Sequence, residues 1–89
     1  MLTPSYTRQF EKDLRRMQKR GKDIARIKAV MTSLIEEEPL SGRYRDHALI
    51  GNYQGRRECH IESDWLLVYK LIDKEIIFER TGTHSDLFK

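Results

Sequence analysis

Residues 65–72, which read WLLVYKLI, decide the fold because they are apolar on both faces of a β-strand. The runs GRRECHI at 55–61 and EIIFERTG at 75–82 flank them, and the three together are rich in β-branched and aromatic residues. Only ESD and DK separate the runs. Because such short polar breaks are typical of hairpin turns, the pattern predicts an antiparallel meander with 65–72 as its central strand.

An amphipathic helix is predicted before the meander. Phe10, Leu14 and Met17 recur at intervals of four and three residues, which places them on one face of a helix that runs to about Arg20. Thr7 can cap its start with a side-chain hydrogen bond to the first turn. Gly21 would end this helix.

A second helix is predicted from Lys22 or Asp23 to about Glu37, and Pro39 ends it. Its apolar stripe consists of Ile24, Ile27, Val30, Met31, Leu34 and Ile35. Since a single glycine joins the helices, we expect a hairpin whose apolar faces pack on the sheet. The pattern therefore predicts one α+β domain over 1–89, with an N-terminal helical hairpin packed on a small twisted antiparallel sheet. Residues 1–4 can add an edge strand.

Composition limits the classes of function. The 89 residues carry 17 Lys and Arg against 14 Asp and Glu, and this net charge of +3 favours a polyanionic partner. Cys59 is the single cysteine, which excludes an internal disulfide. The chain shows no leader peptide and no apolar run near the ~20 residues that span a membrane, so a cytoplasmic protein with no membrane partner is expected.

The three histidines fall where the ends of the meander meet. His47 lies in the loop YRDHALIG, His60 lies near the end of the first strand, and His84 follows the last strand. In an antiparallel meander, the end of the first strand, the start of the second and the exit of the third lie together. We therefore expect one rim to gather His60, Asp64, Trp65, His84 and Phe88, with His47 reaching it from its loop.

Each of these residues also has a simpler explanation. A single loop histidine is commonly solvated, Trp65 suits a core position, and Phe88 can dock the chain end. Cys59 and His60 are adjacent on a strand and point to opposite faces, and metal-binding spacings such as CxxC are missing, so we expect no metal and no cofactor. Cys59 should face inward with Ile61, which argues against a nucleophilic thiol. Convergence at one rim is what favours a site.

Imidazoles, a carboxylate and arginines without a metal suit the cleavage of RNA. The substrate's own 2′-hydroxyl attacks the phosphate while one group takes its proton and another protonates the leaving 5′-oxygen. Imidazole can serve either role at neutral pH. A cation such as Arg56, Arg57 or Arg80 would stabilise the charge that develops on the phosphate.

The ordered stretches YRDHALIGNYQGRRECHIESDWLLVYKL and FERTGTHSDLF also resemble a known family. They are similar to the YafQ branch of the RelE/ParE superfamily, the toxins of bacterial type II toxin–antitoxin modules. The resemblance implies a helical hairpin on a small twisted sheet and ribosome-dependent cleavage of mRNA in the decoding site. It also implies a cognate antitoxin protein as partner, the ribosome with its RNA and message as target, and DNA binding only as a toxin–antitoxin complex.

The family's functional residues match this chain in type. Carried over, its histidines fall on His47, His60 and His84, its carboxylate on Asp64, and its supporting aromatics, which we expect to contact the substrate, on Trp65 and Phe88. The family usually has proline where this chain has Ser63, which removes no reactive group. We expect His84 and Asp64 to handle protons, while His47 and His60 orient the phosphate.

Two alternatives stay open. ParE-type relatives keep the scaffold but bind DNA gyrase without cleaving RNA, and a binding module has no need of this histidine and aspartate set. A plain RNA-binding module would need exposed aromatics interleaved with its basic patch. For a ribosome-directed protein, the basic residues expected to bind ribosomal RNA are Arg15, Arg16, Lys19, Arg20, Lys22, Arg26 and Lys28.

Overall fold

The computed structural model describes residues 1–49 and 55–88. Along the chain, a helical hairpin is followed by a meander of strands. The elements are β1 (Thr3–Tyr6), α1 (Arg8–Lys19), α2 (Ile24–Ile35), β2 (His47–Ala48), β3 (Arg57–Glu62), β4 (Trp65–Ile72), β5 (Glu75–Gly82) and α3 (His84–Leu87), with a 3-10 turn at Gly42–Tyr44. Five strands of the described chain form one sheet in the order β1-β5-β4-β3-β2.

The predicted meander of β3, β4 and β5 is confirmed, with both pairs antiparallel and β4 in the centre. The sheet as a whole is mixed, because β1 runs parallel to β5 and aligns Thr3 with Glu75. The edge strand expected at 1–4 thus begins at Thr3 and ends at Tyr6. The short polar run TPSY carries no signal for strand direction. Backbone hydrogen bonds from Leu2 to Ile35 and from Thr3 to Lys74 fix it.

The helical hairpin forms as expected, although its second helix is shorter than predicted. Thr7 caps α1, since its Oγ1 accepts a hydrogen bond from the backbone N–H of Phe10 at 2.9 Å. Gly21 adopts a φ of +87°, which suits glycine at the joint. α2 ends at Ile35, because Glu37 already turns the chain into the left-handed region before Pro39 is reached.

The main core lies between the hairpin and one face of the sheet. Side chains alternate along β4, so that Trp65, Leu67 and Tyr69 face the helices. They pack with buried residues of both helices and of β3 and β5, among them Phe10, Met17, Ile27, Val30, Cys59, Ile76 and Phe78. The apolar faces of both helices are therefore covered by the sheet.

A buried carboxylate joins α1 to β5 within this core. Asp13 is fully buried and accepts hydrogen bonds from Arg80 Nε at 2.7 Å, Arg16 at 3.0 Å and the backbone N–H of Thr81 at 3.2 Å. A buried charge needs such partners, because each unpaired one would carry a large desolvation cost. These contacts hold the end of β5 against α1.

The chain end folds onto the opposite face of the sheet. Leu66 and Val68 point to that face and form a second cluster with Leu87, against which Leu49 and Phe88 pack. The tail is thus docked rather than frayed.

Two contacts fix the angle at which this tail leaves the sheet. Thr83 and Asp86 form a reciprocal capping box at the start of α3, and Arg20 of α1 binds Asp86 through two nitrogens at 2.7 and 3.2 Å. Gly82 permits the close approach, since a Cβ there would lie 2.9 Å from that of Asp86. No helix within 1–49 or 55–88 is both long and apolar enough to cross a membrane.

Candidate active site

Three histidines and a phenylalanine form a row along the rim where β3 ends and the tail begins. The ring centroids of His47 and His60 lie 6.2 Å apart, those of His60 and His84 lie 5.8 Å apart, and those of His84 and Phe88 lie 6.4 Å apart. His47 stands in β2 rather than in a loop, and its pairing with Glu58 of β3 brings it to the rim. The structure therefore brings together four of the residues predicted to meet at this rim: His47, His60, His84 and Phe88.

His84 is held by Asp64 from the β3–β4 turn. One carboxylate oxygen, Oδ1, accepts both the backbone N–H of His84 at 2.9 Å and its ring Nδ1–H at 2.6 Å. The backbone and ring hydrogen bonds from His84 hold the pKa of the Asp64 carboxyl below its usual range. An ionised carboxylate can only accept, so Nδ1 carries the proton and Nε2 of His84 is left for another partner. The ring is half exposed, with 54% of its side chain accessible.

Glu58 is a member of this site that the sequence interpretation did not single out. Its carboxylate is buried and lies 3.2 Å from His47 Nε2 and 3.4 Å from His60 Nε2. It can therefore hold both imidazoles when they carry charge. The sequence did indicate that Glu58 lies beside His60, because the two residues are two positions apart on one strand and so share a face.

The ring of His47 is oriented from the opposite side by the backbone. Its Nδ1 lies 2.6 Å from the carbonyl oxygen of Arg45, which can only accept, so this nitrogen donates. Arg45 adopts a φ of +50°, uncommon for a residue with a side chain. His60 in the middle of the row is nearly buried, and its Nδ1 has no hydrogen-bond partner among the described residues.

Trp65 does not line this rim, and its assignment to substrate contact is corrected here. The side chain is fully buried on the helix side, and its Nε1–H donates to Thr81 Oγ1 at 2.9 Å. The Thr81 hydroxyl in turn donates to the carbonyl of Leu66 at 2.6 Å. Alternation along β4 explains the placement, because Trp65 shares its face with Leu67. Trp65 therefore anchors the start of β4, next to Asp64.

The three arginines proposed for phosphate binding are each held by an acidic residue. Arg56 binds Glu79, and Arg57 lies 3.4 Å from Asp46. Arg80 donates to the buried Asp13 instead of pointing to the row of histidines. A phosphate contact by any of them would have to compete with these pairs, so that role stays a prediction.

The basic residues of the two helices fall into two groups. Arg16 and Arg20 pair with Asp86, while Lys22 and Arg26 pair with Glu62. The remaining three are exposed and have no acidic partner in the described part of the chain: Arg15, Lys19 and Lys28. These three are the ones open to a phosphate without breaking an ion pair.

Cys59 is excluded as a nucleophile. It is fully buried in the main core, and burial raises the pKa of its thiol to about 12. Residues 1–49 and 55–88 contain no group of three or more His, Cys, Asp and Glu side chains arranged to hold a metal ion. The chemistry that the rim can perform with its own groups is proton transfer by imidazole beside a fixed carboxylate.

Comparisons with known proteins agree on one family. The model of a family described as "Bacterial toxin of type II toxin-antitoxin system, YafQ" matches residues 2–89. The mRNA interferase toxin YafQ of Escherichia coli is 50% identical over 84 residues, which cover 93% of this chain and 91% of that protein. A chain in the crystal structure of the E. coli DinJ–YafQ complex has a TM-score of 0.93 at 47% identity, with both chains covered completely. A metal-bound toxin from Helicobacter pylori has a TM-score of 0.92 at 39% identity, covering 99% of this chain and 100% of its own.

Proposed function

Because the chain belongs to the YafQ family of bacterial toxins of type II toxin–antitoxin systems, we propose that it is an endoribonuclease that cuts mRNA on the ribosome. One observation supports the proposal most: Asp64 fixes His84 with Nε2 available, within one ring spacing of His60. A gyrase-binding toxin has no use for this arrangement, and the relative at 50% identity is named for mRNA cleavage. The cytoplasm, where ribosomes are found, is its place of action.

The chemistry follows from this arrangement. The 2′-oxygen attacks the phosphorus as its proton leaves, the bond from phosphorus to the 5′-oxygen breaks, and that oxygen takes up a proton. The products are a cyclic 2′,3′-phosphate and a 5′-hydroxyl. His84 takes up the proton of the 2′-hydroxyl on Nε2 and gives it to the leaving 5′-oxygen. Asp64 holds the ring and stabilises its charged form. Because its pKa is low, Asp64 is a poor proton donor, so its role is to position His84.

His47 and His60 serve the phosphate in this scheme. Their rings stand side by side, and the buried carboxylate of Glu58 can stabilise a positive charge on either of them. An imidazolium next to the reacting phosphate would oppose the negative charge that builds up in the transition state. Glu58 is therefore a positioning residue of the proposed reaction.

The partner in the cell is an antitoxin protein. The E. coli relative forms a complex named for DinJ and YafQ, and this chain shares its fold along its full length. We propose that a cognate antitoxin binds this toxin and holds its activity in check. DNA binding would belong to that complex and not to the toxin alone.

Cleavage should depend on the ribosome. The rim is shallow, and the side chains of His84 and Asp64 are both exposed. Substrate alignment therefore has to come from outside the toxin. Purified toxin is expected to leave naked mRNA largely intact and to cut the same message on translating ribosomes, measured by mapping 5′ ends over time. A 3′-untranslated segment of the message serves as the internal control. Equal cutting rates with and without ribosomes would contradict the proposal.

Phe88→Ala is expected to lower both stability and rate by modest amounts. Its half-buried ring packs on the Leu66 and Val68 cluster and lies next to His84. Losing it should cost about 1–2 kcal/mol of the free energy of unfolding, measured in urea. The looser tail should slow cleavage about tenfold, since small displacements of a catalytic group are costly. Leu71→Ala, an exposed apolar truncation at the far end of β4, is the control. A Phe88→Ala protein that cleaves as fast as the parent would show that the tail does not need the Phe88 ring to hold His84 in position.

A further inference from the structure

A small cavity of about 260 Å³ adjoins the row of histidines at His60. It lies between the 3-10 turn, the end of β3 and the start of α2, and its lining includes Arg26, Arg43, Arg45, His60, Glu62 and Ser63. This volume is below the roughly 300–1,000 Å³ of typical small-molecule pockets, and it leaves room for a phosphate group.

The charge of this cavity is unbalanced. Its one carboxylate, Glu62, is already bound by Lys22 and Arg26, both at 2.8 Å. Arg43 and Arg45 are exposed and have no carboxylate partner within residues 1–49 and 55–88. Two guanidinium groups on one short turn therefore face solvent with their charge uncompensated, beside the candidate active site. Arginine is the side chain best suited to bind phosphate through two parallel hydrogen bonds.

Local contacts hold the side chain of Arg43 and the backbone of Arg45. The guanidinium of Arg43 lies over the ring of Tyr44, 4.9 Å from its centroid, and donates to the Tyr44 hydroxyl at 2.8 Å. Arg45 occupies the left-handed region of the backbone, and its carbonyl orients His47. Uncommon backbone conformations of this kind cluster at functional sites. The turn thus links the cavity to the histidine row through a single residue.

His60 provides a second, independent link. It lines the cavity while its ring stands between those of His47 and His84. It is 8% exposed, and its Nδ1 has no hydrogen-bond partner among the described residues. Its ring therefore belongs both to the lining of the cavity and to the row of histidines, so a group bound in the cavity lies next to the candidate active site.

We propose that Arg43 and Arg45 bind a phosphate of the mRNA that neighbours the scissile one, and so set the register in which the message enters the site. The inference rests on the nuclease function proposed above and adds a substrate subsite to it. A single strand that runs along the rim would place its reacting phosphate at the histidines and the next phosphate at the arginines. Arg26 forms an ion pair with Glu62, so it contributes only through the electrostatic field of its charge.

The test is a double-mutant cycle between protein and RNA, measured on translating ribosomes by single-turnover cleavage. Arg43→Gln and Arg45→Gln remove one charge each while keeping a polar side chain that can donate hydrogen bonds. On the RNA side, one linkage at a time, on either side of the cut, is made a neutral methylphosphonate. We expect each protein change to slow cleavage about tenfold, the usual size for a hydrogen bond to a charged group. At one neighbouring linkage, the methylphosphonate should slow the parent protein by a similar factor but have little further effect on the variants.

The controls separate the possible failures. Arg15→Gln, an exposed arginine on α1, should show no coupling to any linkage. Thermal melting checks that the variants fold, and either single variant suffices for the cycle. Variants that cut as fast as the parent, or that slow every substrate equally without coupling, would overturn the subsite and point in the latter case to ribosomal RNA. A parent protein that fails to cut unmodified mRNA on ribosomes would instead overturn the proposed function, and the subsite with it.

Discussion

His84→Gln is expected to lower the single-turnover rate of mRNA cleavage by about 100-fold or more while leaving the melting temperature nearly unchanged. Removing a general acid or base typically costs two to four orders of magnitude in rate. The glutamine amide can still donate to Asp64, so the tail keeps its position, but it cannot exchange a proton at neutral pH. Quench-flow cleavage on ribosomes and thermal melting are the two measurements.

The neighbouring Ser85 provides the matched control for His84. Ser85 lies on the same turn of α3 and is exposed, so Ser85→Ala should change neither rate nor melting temperature. A His84→Gln protein that arrests growth and cuts mRNA at the parent rate would show that this histidine has no part in the chemistry. The site would then have to be rebuilt around His47, His60 and Asp64.

The sequence pattern was sufficient for the meander and for the caps of the helices. Period-two alternation places Leu67 and Leu66 on opposite faces, and side-chain hydrogen bonding by Thr7 starts α1 as its position predicts. Both are local rules that act within a few residues. The direction of β1 could not be predicted this way, because it depends on partners more than thirty residues distant, such as Ile35 and Glu75.

The site was predictable in outline and not in its contacts. Strand topology is enough to gather His60, Asp64 and His84 at one rim, and the structure does so. The pairing of Arg80 with Asp13 could not be predicted, because alternation from Ile76 and Phe78 places Arg80 on the helix side but does not identify a partner 67 residues away. The irregular register of β5 between its pairs with Val68 and Tyr69 brings Thr81 to that side as well, and such a bulge leaves no clear mark in the sequence.

The prediction of the site was wrong about Trp65 and overlooked Glu58, for two different reasons. Trp65 was given a substrate role through the family resemblance, although its place in β4 already predicted the core side. Glu58 was visible from its spacing to His60 but looked like an ordinary polar strand residue. Its burial beside two imidazoles indicates its role, and that burial depends on how the short β2 covers the start of β3.

The second large effect concerns the substrate. If the 2′-hydroxyl is the nucleophile, a single deoxyribose on the 5′ side of the cut should abolish cleavage at that position and leave other sites on the same message untouched. Cys59 cannot replace this group as the nucleophile, because its thiol is buried in the main core and burial raises the pKa of that thiol. The same message with one deoxyribose several nucleotides away is the matched control.

Metal dependence is the condition to control in that experiment, since the H. pylori relative is described as metal-bound. A chelator selective for copper and zinc leaves the magnesium that ribosomes need. Adding it should not change the rate if the substrate supplies its own nucleophile. A rate that falls with the chelator and returns with added metal would show that a metal ion takes part, and the ends of the fragments would then show whether an activated water replaces the 2′-hydroxyl.

The chemistry of the cut ends is the decisive measurement, made on translating ribosomes with the parent message and its deoxyribose version side by side. Metal-free cleavage by the imidazole row requires a 5′-hydroxyl on the downstream fragment, a cyclic or ring-opened phosphate on the upstream fragment, and no cut at the deoxyribose. A 5′-phosphate on the downstream fragment, or undiminished cutting at the deoxyribose, would contradict it.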